Sequence, residues 1–121
     1  MLVHSPVCDS MGYSYKWYYI FHSESLQKNF EIWYKNGQVI IKDSVTIPWQ
    51  LGEEDVPFTH SWIDSDSAIV IGNASGGTDY MSSHEILHIG MTLRQIQSGW
   101  HYWNIVYQAE DSNFIYQVNA Y

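Results

Sequence analysis

Cysteine occurs once in this chain of 121 residues, and a lone thiol can close no intramolecular disulfide and build no cysteine-rich zinc site. Basic residues are scarce too: five Lys and Arg stand against thirteen Asp and Glu, for a formal net charge of -8. Such a surface repels phosphate backbones, and no basic stripe offsets the repulsion, so nucleic acid is excluded as a partner and anionic membranes are disfavoured. No apolar run approaches the roughly 20 residues of a membrane-spanning helix, so membrane insertion is not expected. The first six residues show no basic region leading into an apolar run, so no signal peptide is visible. Nucleophile-elbow and phosphate-cradling glycine motifs are missing as well, since the Gly72–Gly77 stretch follows a helical pattern instead of opening one.

What the chain has in abundance is aromatic side chains, 17% of all residues, led by ten Tyr and six Trp. Each buries a large apolar area, so a short chain can assemble a substantial core from them, and a length of 121 residues argues for one core. Over residues 13–22, Tyr13, Tyr15, Trp17, Tyr19 and Phe21 alternate with Ser14, Lys16, Tyr18, Ile20 and His22. Period-2 alternation predicts a strand with one row turned to a core. Phe30, Ile32 and Tyr34 alternate with Glu31, Trp33 and Lys35 in a second strand. Asn36-Gly37 then predicts a tight turn into a third strand through Val39-Ile40-Ile41, ending near Val45.

Residues 48–60 hold two prolines, Gly52 and the run Glu53-Glu54-Asp55, a composition that fits a long surface connection. Asp64 or Ser65 can cap a helix carrying Asp66 in its first turn, expected to run to about Ala74 and to stop at Gly76-Gly77. A short helical turn is expected at 78–83. Three strands follow, over residues 86–95, 100–109 and 113–120. In the first of them Leu87, Ile89, Met91 and Leu93 are expected to face the core. The predicted fold is α+β: an antiparallel sheet of two related hairpins plus extra strands, with one main helix packed on one face.

The hairpins resemble each other. Trp17–Phe21 can be laid on Trp103–Tyr107, with Asn29-Phe30 meeting Asn113-Phe114 after a two-residue difference in the turn. Self-similarity of this kind points to duplication of a supersecondary unit, although any two aromatic hairpins share much of the pattern.

Trp-x-Tyr-x-Phe at Trp17–Phe21, Trp-x-Asp-Ser at Trp62–Ser65, Gly76-Gly77, Trp-x-Ile-x-Tyr at Trp103–Tyr107 and Val-x-Ala at Val118–Ala120 together resemble the PepSY-like domains of bacterial extracytoplasmic proteins. The resemblance spans nearly the whole chain and consists of loosely specified positions, not of a catalytic signature. It implies a helix-on-antiparallel-sheet module of the secreted-propeptide and cell-envelope type, with inhibition or protein binding as its role. It also implies an extracytoplasmic location, whether periplasmic, cell-surface or secreted. The helix expected before the first hairpin is missing, and the chain ends at Tyr121 where Thr-Gly commonly follows the closing Ala. On this reading residues 1–121 are a single PepSY-like domain, trimmed from a larger protein.

The sharpest chemical motif is His84-Glu85-Ile86-Leu87-His88, a formal match to His-Glu-x-x-His. In zinc peptidases a helix sets both imidazoles on one face to hold the metal while the Glu activates a bound water. Here the alternation after the motif reads as strand, where positions i and i+4 lie roughly 13 Å apart, beyond the reach of one ion. Arg94 stands where the extended pattern needs a third His, and Glu110 is only a distant acidic candidate. His4, His22, His60 and His101 show no ligand spacing, and Glu53, Glu54 and Asp55 lack the spaced oxygens of a calcium loop. Cys8, in an N-terminal segment read as irregular, has Asp9 beside it. A neighbouring carboxylate raises a thiol pKa, the opposite of what a nucleophile needs. No cofactor or metal and no catalytic set is expected, so the chain reads as a non-enzyme.

Tyr18, Trp33, Trp100 and Tyr102 fall on the face opposite the predicted core rows, and Trp49 lies in the long connection. One helix covers one face of a sheet, which leaves this row as a candidate binding surface for a protein or polypeptide. Flat, aligned rings there would instead suit a carbohydrate-binding module. A neighbouring segment or a second copy docked on the open face is the structural alternative. The zinc metallopeptidase through His84, Glu85 and His88 is the enzymatic one.

Overall fold

Alternation organises two hairpins in the computed structural model, which describes residues 2–23, 28–43, 61–95 and 101–121. The first pairs β2 (Lys16–Ser23) with β3 (Lys28–Lys35), and β3 turns through Asn36-Gly37 into β4 (Gln38–Asp43). Both turn residues have positive φ, 49° and 78°, as a two-residue hairpin turn requires. After the helical region come β5 (Ile86–Gln95), β6 (His101–Ala109) and β7 (Asn113–Asn119), with β5 antiparallel to β6 and β6 antiparallel to β7. Trp17, Tyr19 and Phe21 lie opposite Tyr34, Ile32 and Phe30, while Trp103, Ile105 and Tyr107 lie opposite Val118, Tyr116 and Phe114. The two hairpins therefore share one register under the alignment of Trp17 on Trp103 and Phe30 on Phe114.

The N-terminal segment is no irregular arm. Leu2–Cys8 forms β1, which among the described residues is the middle strand of a seven-stranded antiparallel sheet of order β4-β3-β2-β1-β5-β6-β7. With β2, β3 and β4 it makes a four-stranded half, which it joins to the three strands β5–β7. Its pairing with β2 covers only Leu2, Val3 and His4, and its ladder with β5 shifts register between Ser5 and Cys8. Pro6 falls inside that shift, where a missing N–H interrupts no regular ladder. This is how a proline is tolerated in a central strand. Buried Ser5 is satisfied there by Val7 O at 3.2 Å and Ser14 Oγ at 2.8 Å.

Tyr13 and Tyr15 precede β2 instead of belonging to it, and both are exposed. The Asp9 carboxylate accepts the Met11 and Tyr13 N–H groups at 2.8 and 3.0 Å, and Asp9 N–H donates to Tyr13 O. These bonds hold the chain in a turn and delay the strand to Lys16. The third strand ends at Asp43; Val45 and the connection over 48–60 lie outside the described residues.

Helix α1 (Ser65–Gly72) starts at Asp64, whose side chain accepts the Ser65 N–H. Gly76-Gly77 does not end it. The chain passes through a wide π turn, Asn73–Gly77, into α2 (Thr78–Ser83), with Gly76 at φ 127° absorbing the kink. Gly72 and Gly77 let this region sit directly on the sheet, since a Cβ at either would come within 3 Å of the Tyr107 ring system. Tyr107 Oη completes the contact by donating to Asn73 Oδ1 at 2.8 Å.

The helix lies across β6 and β7, so the core occupies the three-stranded half: Ala68 and Ile69 against Ile89, Met91, Leu93, Trp103, Ile105, Tyr107 and Val118. Leu87 departs from the expected inward row and is exposed. The β5–β6 ladder shifts register between Ile86 and His88, which turns Leu87 outward and puts Ile86 against the core. No helix among the described residues is long and apolar enough to cross a membrane.

Candidate functional site

Tyr18 and Trp33 are cross-strand partners on the sheet face away from the helix, and their rings meet edge to face with centroids 5.4 Å apart at 77°. The Lys16 ammonium lies 3.9 Å from the Trp33 centroid and 4.6 Å from that of Tyr18. Trp33 Nε1–H donates to the carboxylate of Glu31, itself buried on the same face. These contacts satisfy the pair locally. Perpendicular rings that share one cation do not form the flat platform that sugar stacking uses. Tyr102 lies on this face too, opposite Arg94, but β1 and β5 separate it from Tyr18, about 14 Å at ordinary strand spacing. The structure thus brings Tyr18 and Trp33 together and leaves Tyr102 apart; Trp100 lies outside the described residues.

The His84–His88 motif straddles two elements. His84 is the C-terminal cap of α2 with extended backbone (φ −135°, ψ 145°), and His88 is exposed on β5 beyond the register shift. The His84 ring stacks on Tyr80 with centroids 4.1 Å apart, and its Nδ1 lies 3.1 Å from Tyr80 O. The two residues therefore lack the single helical face on which the zinc-peptidase motif depends. Among the described residues no three His, Cys, Asp or Glu side chains converge where a metal ion could sit.

Cys8 is buried on the helix side of the sheet. Burial above all, with the Asp9 charge adding and a hydrogen bond to Ser5 opposing, pushes its thiol up to about 11. Burial likewise pushes the Tyr107 hydroxyl up to about 12. In the unfolded chain these groups ionise near 9 and 10, so between those values and the folded ones the unfolded state holds fewer protons. Unfolding free energy is then expected to be insensitive to these groups below pH 9 and to fall as pH rises towards 11 and 12. Urea denaturation across that range checks the sign, and Cys8→Ala removes the part that sets in first. Folded protein at pH 8 is expected to resist iodoacetamide, whereas labelling at the rate of a free cysteine would contradict a buried thiol.

The sheet surface that the helix leaves uncovered lies elsewhere. On the helix-side face of the four-stranded half, Ile32 and Tyr34 stand beside Ile41 and Val39. Tyr34 is 44% exposed, Val39 63% and Ile41 69%, with Ile40 on the other face at 41%. All three aliphatic residues belong to β4, which among the described residues is an edge of the sheet. An edge strand with a β-branched run exposed on both faces is a template for a further strand. The sequence signal, Val39-Ile40-Ile41, marks a strand but not its exposure, because exposure depends on where the helix lands. The opposite edge, β7, carries the polar Asn113, Gln117 and Asn119, and just beyond its end Ala120 O accepts the Ile63 N–H at 2.8 Å. No protein-family model matches this chain, and neither a curated protein nor a solved structure does.

Proposed function

We propose that this chain is a non-catalytic, PepSY-like binding module, extracytoplasmic in setting, that takes up an extended polypeptide along β4. The observation that carries the reading is the exposed run Val39-Ile40-Ile41 on an edge strand, continuous with Ile32 and Tyr34 on the uncovered half of the sheet. Main-chain hydrogen bonds from such an edge supply affinity in β-augmentation, and alternate side chains supply specificity. Here the partner's inward residues would meet an aliphatic surface. The formal net charge of -8 favours a partner of net positive charge. Protease inhibition is one use of such an edge, since a protease or its substrate segment can be held there as an added strand.

A phage-displayed library of linear peptides panned against the purified chain tests this reading. Enriched sequences are expected to alternate apolar residues and to carry net positive charge. Val39→Lys and Ile41→Lys are each expected to weaken their binding at least tenfold. At exposed positions these changes alter stability by only about 0.5 kcal/mol. Peptides indifferent to both substitutions would refute the reading. So would a dimer in sedimentation that the same substitutions dissolve, because a second copy would then be the natural occupant of the edge.

A further inference from the structure

Trp17, Tyr19, Trp62, Asp64, Ser65 and Trp103 enclose a small pocket of about 80 Å³ where the start of α1 meets the sheet. Strand alternation accounts for its floor, since Trp17 and Tyr19 of β2 and Trp103 of β6 share the helix-side face. The segment entering α1 supplies the rest. Trp103 Nε1–H donates to Ile63 O at 2.9 Å and Ile63 N–H donates to Ala120 O, which pins Trp62 and Asp64 over the sheet. The Trp17 and Trp103 rings meet edge to face, at 71° with centroids 5.9 Å apart, so both border the pocket without stacking flat on each other. Trp103 spends its N–H on Ile63. Asp64 is exposed at the rim, and one of its carboxylate oxygens accepts the Ser65 N–H at 3.3 Å.

We infer that this pocket binds an alkylated ammonium head group, a quaternary amine above all, held by the tryptophan and tyrosine rings with Asp64 supplying the counter-charge. Aromatic faces attract cations through the ring quadrupole, and recognition of quaternary ammonium by several such rings is its established functional use. A methylated cation also sheds water more readily than a compact, strongly hydrated lysine ammonium. Size agrees: drug-sized pockets begin at roughly 300 Å³, so this one has room for a head group and not for a whole large ligand. The positive end of α1 opposes a cation, but it amounts to roughly half an elementary charge, against a full charge on Asp64 and a second carboxylate at Asp66 in the first turn. The field of Asp64 reaches into the pocket, because it raises the Tyr19 hydroxyl pKa together with burial, the larger cause, and Tyr34. The inference stands apart from polypeptide uptake on β4.

Titration of the full chain with choline chloride at constant ionic strength, followed by calorimetry and tryptophan fluorescence, tests it. The neutral isostere 3,3-dimethyl-1-butanol is the control and is expected to bind at least tenfold more weakly. Asp64→Asn keeps the helix cap, because Asn caps as well as Asp, and is expected to weaken choline severalfold without moving Tm or the isostere. Trp62→Ala is expected to weaken both compounds. Equal affinity for choline and its isostere would overturn the inference, as would choline binding indifferent to Asp64→Asn or no saturable choline binding at all. A peptide carrying trimethyllysine, set against its unmodified form, assigns the source. Tighter binding than choline points to a modified polypeptide, and weaker binding points to a free amine.

Discussion

Trp103→Ala is expected to cost about 3–5 kcal/mol of unfolding free energy, the range for truncating a buried large aromatic side chain. Trp103 is 2% exposed and holds together three parts of the molecule. On β6 it packs in the main core; across β5 and β1 its ring meets Trp17; through Nε1 it fastens Ile63, the residue leading into α1. Removal leaves a cavity and deprives Ile63 O of its donor, and both terms act in the same direction. Against a total stability of roughly 5–15 kcal/mol for a domain, the loss is severe. Urea denaturation followed by far-ultraviolet circular dichroism measures it. Trp103→Phe, which keeps much of the ring volume but not the N–H, is expected to lose about 1–3 kcal/mol. A cost below about 1 kcal/mol for the alanine variant would show that this ring does not bind the halves together.

Gly12→Ala is expected to cost about 2–4 kcal/mol, while Gly37→Ala costs about 1 kcal/mol. Both glycines have positive φ, 84° and 78°, so both variants incur the left-handed penalty of roughly 1 kcal/mol. Their surroundings differ. A Cβ on Gly37 meets nothing within 4 Å, whereas one on Gly12 lies 2.5 Å from Ser65 O and 3.0 Å from Ile69 Cγ2. The obstacle at Gly12 is the backbone of α1, so relief requires the β1–β2 connection to lift off the helix. The difference between the two variants in matched denaturation experiments therefore reports the tightness of that contact. Equal losses would mean that the connection moves freely.

The rows that alternate cleanly were legible from the residues alone. Ile89, Met91 and Leu93, and Trp103, Ile105 and Tyr107, face the core as their period-2 pattern dictates, and even the equivalence of the two hairpins extends to their pairing register. The central strand was the least legible. In Leu2–Cys8, Ser5 and Pro6 break the alternation where the ladder with β5 shifts register, so no apolar stripe marks the strand. Gly76-Gly77 misled for a related reason: adjacent glycines ordinarily end a helix, but here close approach to Tyr107 and the turn at Gly76 both require them. The candidate site was half legible. The contact of Tyr18 with Trp33 follows from strand pairing, but the uncovered Val39 and Ile41 depend on the placement of the helix, a tertiary outcome that no local pattern encodes.

The central position of β1 also sets the order in which the molecule can be finished. Val3 pairs with Leu93, about 90 residues further along, so β1 is made well before the strand it pairs with. The hairpins on either side close over short stretches and incur little loop entropy. Until β1 is clasped between them, β2 and β5 each present a bare margin, and a nascent chain carries two extra sticky borders for as long as it is incomplete. Holding the halves apart from other chains during that interval is the burden this topology places on the cell that makes it.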